Sequence, residues 1–237
     1  MTSDEDRAPS FASPPCFMHE VAPGSNLVDP RQRADVMRWR KGARERLIQE
    51  RLAIPTELRR EHGQTIAAGL EHVIGEVKGL TVSAYWPFRG EPDLRRLLER
   101  IQARGGRTAL PVVIALRQPL IFRAWAKGDP MERGIWNIPV PAAGAETVDP
   151  DVVIAPVVGY DPVCFRLGYG GGFFDRTLAV MSKRPRFFGV GYAQAALATI
   201  YPQPHDIPMD LVLTEKGVVS PAPDPSFRTA RGDAGLP

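Results

Sequence analysis

The chain has 237 residues, of which 43% are hydrophobic, and its 30 Lys and Arg residues against 27 Asp and Glu residues give a net charge of +3. It is long enough for one sizeable core, because domains usually contain about 100–200 residues. The sequence predicts neither a membrane span nor a secretory signal, since it lacks an apolar run of about 18 residues and has an acidic start. Its two cysteines imply no disulfide framework, so we expect a cytoplasmic protein.

The two ends of the chain differ from its middle in composition. Residues 1–30 contain five prolines among small and polar residues, and the last stretch, from about residue 220, is proline-rich without apolar periodicity. Such compositions are typical of segments that do not pack by themselves. We therefore predict a flexible N-terminal extension over 1–30, a folded domain over 31–219 and a disordered tail over 220–237.

The middle of the chain alternates between helical and strand patterns. A long helix is predicted over 31–53, a second helix begins after Pro55, and the apolar run 80–86 indicates a strand. Residues 91–104 carry leucine and isoleucine at spacings of three and four, which predicts an amphipathic helix ending at two glycines. Further strands are predicted at 108–114, 120–125, 151–158, 187–192 and 211–214.

Short apolar strands that alternate with helices are typical of a parallel sheet covered on both faces. We therefore predict a single α/β domain of three layers, with a mostly parallel sheet and helices on both faces, as in Rossmann-like folds. Ligands of such folds bind beyond the carboxyl ends of the strands. The functional site is thus expected in the loops that follow the strands.

A glycine-rich segment follows the strand predicted at 151–158. It reads RLGYGGGFFDR over residues 166–176 and leads into a helical pattern. Glycines let successive backbone N–H groups approach a phosphate, and the following helix adds its positive end. Arg166 can add a cation, and Asp175 a carboxylate for Mg²⁺. The alternative is a tight packing turn in which Asp175 only complements the helix dipole.

This segment matches neither of two common nucleotide motifs. G-x-x-x-x-G-K-[ST] needs a lysine that is absent, and Phe173 or Asp175 replaces the last glycine of G-x-G-x-x-G. Its order of arginine, glycine run, two aromatics and aspartate resembles the signature of 5-formyltetrahydrofolate cyclo-ligases. The resemblance also covers the basic first helix and segments 87–91, 110–112, 122–125, 136–139 and 205–206.

The resemblance implies an enzyme that uses Mg²⁺ and ATP to phosphorylate the formyl oxygen of 5-formyltetrahydrofolate. The neighbouring folate nitrogen then attacks, phosphate leaves, and the ring closes to 5,10-methenyltetrahydrofolate, with ADP as the other product. Such chemistry depends mainly on positioning and on neutralising phosphate charge. The family's functional residues can be carried over to matching positions in this sequence.

The resemblance implies that Arg166 and Asp175 are catalytic and that Asp175 and Asp206 bind the metal. Arg40 and Arg44 stand four residues apart on the first helix, as the family's nucleotide cations do, with Lys41 as a substitute for Arg40; the alternative is a solvated basic face. The implied ATP site comprises Arg40, Arg44, Arg166, Leu167, Gly168, Tyr169, Gly170, Gly171, Gly172, Phe173, Phe174 and Asp175.

The implied substrate contacts are Glu91, Trp136 and Phe174. The carboxylate of Glu91 can accept hydrogen bonds from pterin nitrogens, although alone it is also an ordinary acid at a helix start. Trp136 can wall a flat heterocycle, although large aromatics near strands more often belong to a core.

Two features depart from the family pattern. Phe173 and Phe174 stand where the family commonly has at least one tyrosine, while Tyr169 and Gly171 stand where some members carry further basic residues. Two alternatives follow: an ATP-binding paralogue that acts on another small substrate in cofactor salvage, and a non-catalytic nucleotide-dependent regulator. We expect no nucleic-acid partner, because no RNA-binding motif occurs, and we expect a monomer.

Overall fold

The computed structural model describes residues 30–221, so nearly all of the predicted N-terminal extension and most of the predicted C-terminal tail lie outside the described residues. Four α-helices occur in this part of the chain: α1 (Pro30–Ala53), α2 (Thr56–Ile74), α3 (Arg95–Ala103) and α4 (Phe173–Val180). Both N-terminal helices are confirmed where the sequence predicts them. None of the helices within 30–221 has the length and apolar character that crossing a membrane requires.

The main sheet contains seven strands, and two short hairpins accompany it. The sheet strands are β1 (Thr81–Ser83), β2 (Arg107–Val113), β3 (Leu120–Ala124), β6 (Val152–Pro156), β9 (Arg186–Val190), β10 (Leu211–Thr214) and β11 (Gly217–Val219). The hairpins pair β4 (Met131–Arg133) with β5 (Pro139–Pro141), and β7 (Gly159–Tyr160) with β8 (Arg166–Leu167).

The sheet has the strand order β11-β10-β9-β6-β1-β2-β3. The five inner strands run parallel, and the edge strands β3 and β11 are antiparallel to their neighbours. β6 has the sequence VVIAP and is apolar throughout. This is expected of an inner parallel strand, because helices cover both of its faces. The predicted α/β fold with a mostly parallel sheet is confirmed.

Alternate residues of β6 contribute to two cores on opposite faces of the sheet. Val152 and Ile154 belong to the core that α2 and α3 cover, whereas Val153 and Ala155 belong to the core that α4 covers. A third, smaller cluster joins α1 to the β7–β8 hairpin through residues such as Leu47. Helices therefore lie on both faces, and α1 reaches the end of the sheet where β6 stops.

Three predicted boundaries are wrong in ways that matter for the site. The strand predicted over 80–86 ends at Ser83, so the aromatic residues that follow it form a loop. The helix predicted over 91–104 begins only at Arg95 and leaves residue 91 in the preceding turn. The glycine-rich segment, predicted as a loop from residue 166, begins with a strand instead, because residues 166–167 pair with β7 in a short hairpin.

Candidate active site

A cavity of about 410 Å³ lies at the carboxyl ends of β1 and β6. Its walls come from the loop after β1, the end of β6, the turn between β4 and β5, the glycine segment and the loop before β10. Of the residues that the sequence predicts for the site, all except Leu167 line this cavity: Arg40, Arg44, Glu91, Trp136, Arg166, residues 168–175 and Asp206. Leu167 is buried in the cluster beneath α1.

Two arginines of α1, Arg40 and Arg51, lie on the buried face of the helix. Val36, Arg40, Ala43, Leu47, Arg51 and Ile54 are all buried, and their spacings of three and four are those of an apolar helical stripe. Two positions of this stripe are occupied by arginine. The helix thus delivers cations into the protein, whereas Lys41 is exposed and does not line the cavity.

Arg40 holds the loop that carries Asp206. Its Nε donates to the backbone oxygen of Ile200 at 3.0 Å, and its Nη2 donates to that of Tyr201 at 2.9 Å and to the carboxylate of Asp206. The side chains of Arg40 and Asp206 are 6% and 8% exposed. A buried pair of this kind is costly to break, because the remaining charge loses its partner.

The glycine segment after β8 has a backbone that only glycine adopts readily. Gly170 and Gly172 have φ angles of +98° and +62°, and Gly172 directly precedes α4. Within residues 30–221, the backbone N–H groups of Gly170 and Gly171 have no acceptor. Arg44 contacts the glycine segment, with its Nε donating to the backbone oxygen of Gly168 at 2.7 Å. The segment therefore presents N–H groups and a cation to the cavity.

Arg166 and Asp175 form a buried ion pair at the base of this segment. Nη2 of Arg166 lies 2.9 Å from Oδ2 of Asp175, and the two side chains are 6% and 12% exposed. Oδ1 of Asp175 accepts a hydrogen bond from the N–H of Ile207 at 3.2 Å. The Nε of Arg166 is buried without any partner among the described residues. A buried donor left open is suited to an anion, since leaving it unpaired would be unfavourable.

The two predicted metal ligands lie on neighbouring segments. Because the residue after Asp206 donates to Asp175, both carboxylates border the same part of the cavity. No group of three or more His, Cys, Asp or Glu side chains suited to a metal occurs within residues 30–221. The two carboxylates at the border of the cavity fit Mg²⁺, which is usually held by one or two carboxylates together with substrate phosphates.

Glu91 is buried in the turn between β1 and α3, with its side chain 2% exposed. Its Oε2 accepts from the N–H of Phe88 at 2.9 Å, and its Oε1 accepts from the hydroxyl of Tyr169 at 2.7 Å. Burial penalises the ionised carboxylate and raises the pKa of Glu91 from 4.5 to about 7, against the opposing effects of Arg51 and the two hydrogen bonds. This carboxylate is thus unlike an ordinary acid at a helix start.

Aromatic side chains form the apolar wall of the cavity. Trp136, in the turn between β4 and β5, is 56% exposed, has a φ of 58°, and its ring centroid lies 5.8 Å from that of Phe173. Phe174 lines the cavity and also stacks on Phe187 of the core, with ring centroids 6.3 Å apart. Trp125, by contrast, is a core residue. The wall and the carboxylate together suit a flat ligand with polar edges.

Arg51, a buried residue beside Glu91, was not predicted from the sequence. Its side chain is 6% exposed, and it donates hydrogen bonds to the oxygen of Arg89, the oxygen of Val157 and the hydroxyl of Tyr169. The signal was present, because Arg51 lies 11 residues after Arg40 at a position of the apolar stripe. An arginine in such a stripe indicates a buried cation with partners elsewhere in the fold.

Comparisons with known proteins point to one family. The profile of the 5-formyltetrahydrofolate cyclo-ligase family matches residues 36–215. A 5-formyltetrahydrofolate cyclo-ligase of Mycolicibacterium smegmatis is 33% identical over 183 residues, which cover 73% of this chain and 93% of that protein. The enzyme of the same name from Escherichia coli K12 is 32% identical over 177 residues, covering 72% of this chain and 97% of the relative.

Solved structures give the same fold. The 5,10-methenyltetrahydrofolate synthetase of Aquifex aeolicus superimposes with a TM-score of 0.66 at 23% identity, covering 82% of this chain and 98% of the other. The corresponding protein of Mycoplasma pneumoniae gives a TM-score of 0.62 at 21% identity and covers 74% and 98% of the two chains.

Proposed function

The chain belongs to the 5-formyltetrahydrofolate cyclo-ligase family, and we propose that the cavity described above is where it converts 5-formyltetrahydrofolate to 5,10-methenyltetrahydrofolate. It is an ATP-dependent ligase of one-carbon metabolism. The observation that supports this location is the meeting of the glycine segment and the buried carboxylate of Glu91 in one cavity. A phosphate donor and a flat heterocycle would therefore lie side by side.

The glycine segment, Arg44 and Arg166 form the nucleotide half. The N–H groups of Gly170 and Gly171 and the open Nε of Arg166 would bind phosphate oxygens, and Arg44 adds a cation beside them. Arg40 acts less directly, because its donors are already used by the loop that carries Asp206. Its role is to hold that loop against the cavity.

Asp175 and Asp206 would hold Mg²⁺ together with the nucleotide phosphates. Each carboxylate is fixed by an arginine and by a backbone N–H, so both are already oriented. When bound, the metal ion neutralises phosphate charge and lowers the barrier to phosphoryl transfer.

Glu91, Trp136 and Phe174 form the substrate half. Ionised Glu91 would accept hydrogen bonds from the pterin nitrogens, and the aromatic rings would pack against the faces of the heterocycle. With the substrate held in this way, its formyl oxygen would face the nucleotide half. Phosphorylation of that oxygen makes it a good leaving group, the folate nitrogen then attacks the formyl carbon, and phosphate departs as the ring closes. The protein's contribution is to position both substrates and to exclude water.

The test is the absorbance of methenyltetrahydrofolate when purified protein is mixed with 5-formyltetrahydrofolate, ATP and Mg²⁺. We expect a rise that requires all three components and is strongly reduced in Asp175→Asn. Binding of ATP without any rise would favour the alternative of another small acceptor. We also propose a cytoplasmic monomer, and sedimentation of the active protein as a dimer would contradict that part.

A further inference from the structure

Tyr169 links the glycine segment to the substrate carboxylate. Its hydroxyl donates to Oε1 of Glu91 at 2.7 Å and accepts a hydrogen bond from Nη2 of Arg51. Its ring centroid lies 6.1 Å from that of Phe88, in the turn that also contains Glu91. A residue of the nucleotide half is therefore bonded to the substrate half.

The two oxygens of Glu91 are held by different parts of the molecule. Oε2 is bonded within its own turn, to the N–H of Phe88 at 2.9 Å, whereas Oε1 is bonded to Tyr169. The direction of Oε1 is thus set by the glycine segment. Since the side chain of Glu91 is 2% exposed, water does not readily replace this hydrogen bond.

Arg51 completes the link from the opposite side. Its Nε donates to the oxygen of Arg89 at 2.9 Å, and its Nη1 lies 3.4 Å from the oxygen of Val157 and 4.0 Å from Oε1 of Glu91. One guanidinium therefore contacts the substrate turn, the segment just after β6 and Tyr169. These contacts leave the carboxylate and the tyrosine little freedom to move independently.

We propose that Tyr169 and Arg51 are positioning residues that couple the two substrate sites. A nucleotide bound at the glycine segment then raises the affinity with which the substrate half, around Glu91, binds the folate. This inference rests on the proposed function. Tyr169 lies between Gly168 and Gly170, so the backbone that would contact phosphate also sets the position of the tyrosine hydroxyl. A phosphate that orders this backbone fixes the hydroxyl, and with it Oε1 of Glu91.

The physical basis is conformational entropy. Glycines lose more backbone freedom on ordering than other residues. The first ligand to order the segment bears that loss, and the second ligand then binds to a carboxylate that is already oriented. Because such coupling is reciprocal, folate must strengthen nucleotide binding by the same factor. A hydroxyl that only stabilises the fold would change the melting temperature and leave this factor unchanged.

The experiment is calorimetric titration of 5-formyltetrahydrofolate with and without a saturating non-hydrolysable ATP analogue. The test variant is Tyr169→Phe, which keeps the ring and removes the hydroxyl. Tyr160→Phe is the control, because Tyr160 lies in the β7–β8 hairpin next to the glycine segment but outside the cavity. We expect the analogue to lower the folate Kd by about fivefold or more in the native protein and in the control. In Tyr169→Phe the two Kd values should agree within about twofold.

A second variant, Arg51→Lys, keeps the charge but replaces the guanidinium that contacts Arg89, Val157 and Tyr169 at once with a single ammonium. It should reduce the ratio of the folate Kd without the analogue to the folate Kd with it, even if Tyr169→Phe folds poorly. Retention of the native ratio in either folded variant would overturn the inference. A native protein that forms methenyltetrahydrofolate but whose folate Kd does not change with the analogue would also overturn it. The proposed function would then remain intact. A native protein that neither binds nor converts the folate contradicts the proposed function, and this inference with it.

Discussion

The nucleotide half and the substrate half of the cavity balance charge in different ways. In the nucleotide half, Arg166 pairs with Asp175 and Arg40 with Asp206, each in a short and nearly buried ion pair. In the substrate half, Glu91 is bonded to neutral donors, and the nearest guanidinium nitrogen of Arg51 is 4.0 Å away. Removing a charge from the first half should therefore affect folding and catalysis together, whereas the second half should respond to pH.

The largest effect is expected for Asp175→Asn. The amide keeps one acceptor oxygen, for either Arg166 or the N–H of Ile207, and it removes the negative charge proposed to hold Mg²⁺. We expect kcat to fall by about a thousandfold and the melting temperature to fall as well, because the buried Arg166 loses its counter-charge. Methenyltetrahydrofolate absorbance over a range of Mg²⁺ concentrations measures this.

Asp210→Asn is the matched control for that variant. Asp210 also accepts from a backbone N–H and lies near an arginine, but it does not line the cavity. Its kcat should equal that of the native enzyme. Native turnover in Asp175→Asn would show that this carboxylate is only a packing group.

The next largest effect is expected for Arg166→Ala. Loss of the guanidinium removes the open Nε donor and leaves Asp175 buried without its cation. We expect KM for ATP to rise about a hundredfold and the free energy of unfolding to fall by about 3 kcal/mol. Arg186→Ala, which removes a partly buried arginine outside the cavity, should leave KM for ATP unchanged.

The double variant Arg166→Ala with Asp175→Ala separates the two effects. Because it leaves no unpaired charge, it should be more stable than the sum of the single losses predicts. Additive losses would contradict the view that the pair is a single buried unit.

A smaller effect is expected for the substrate half, and it should depend on pH. Since ionised Glu91 would accept the pterin hydrogen bonds and its pKa is about 7, kcat/KM for the folate should rise with pH through about 7. The groups that face this carboxylate are Arg51 from α1, Tyr169 from the glycine segment, Tyr85 after β1 and Tyr192 after β9. Glu91→Gln should raise KM for the folate about thirtyfold and abolish this rise.

The free energy of unfolding of the free enzyme should fall as pH rises, in the opposite direction to kcat/KM. A carboxyl whose pKa rises from 4.5 in the unfolded chain to about 7 in the fold stabilises the protein at low pH and loses that contribution as pH passes through 7. At about 1.4 kcal/mol per pH unit, the loss is roughly 3 kcal/mol. Unfolding titrations at pH 5 and pH 8 measure it. Glu215→Gln, outside the cavity, should keep the native dependence.

The smallest effect is expected for Trp136→Ala. This side chain is largely exposed and contacts Phe173 edge to face, so its loss should raise KM for the folate about fivefold without changing kcat. Trp39→Ala removes another exposed tryptophan, which packs on Tyr201 outside the cavity, and should leave KM unchanged. An unchanged KM in Trp136→Ala would remove this residue from the substrate wall.

The sequence predicted the fold and the glycine segment because their signals are local, whereas Glu91, Trp136 and Asp206 were predicted only through the family resemblance. Apolar runs define the buried strands, and the glycine run with its flanking Arg166 and Asp175 lies within ten residues. The pairing of Arg166 with Asp175 and the bond between Tyr169 and Glu91 depend on tertiary contacts that no local pattern encodes. The short β7–β8 hairpin was missed for a similar reason, since two-residue strands carry no periodicity.

The distant partners of Arg40 in α1 also have a consequence for synthesis of the protein. Arg40 bonds to Ile200 and Asp206, which follow it by 160 and 166 residues. A nascent chain thus makes the first helix long before it makes the partners of that helix, and docking it earlier would bury an unpaired cation. Such distant contacts form slowly, because a long loop must close before they contribute. The cavity is therefore completed only when the ribosome has translated nearly the whole domain.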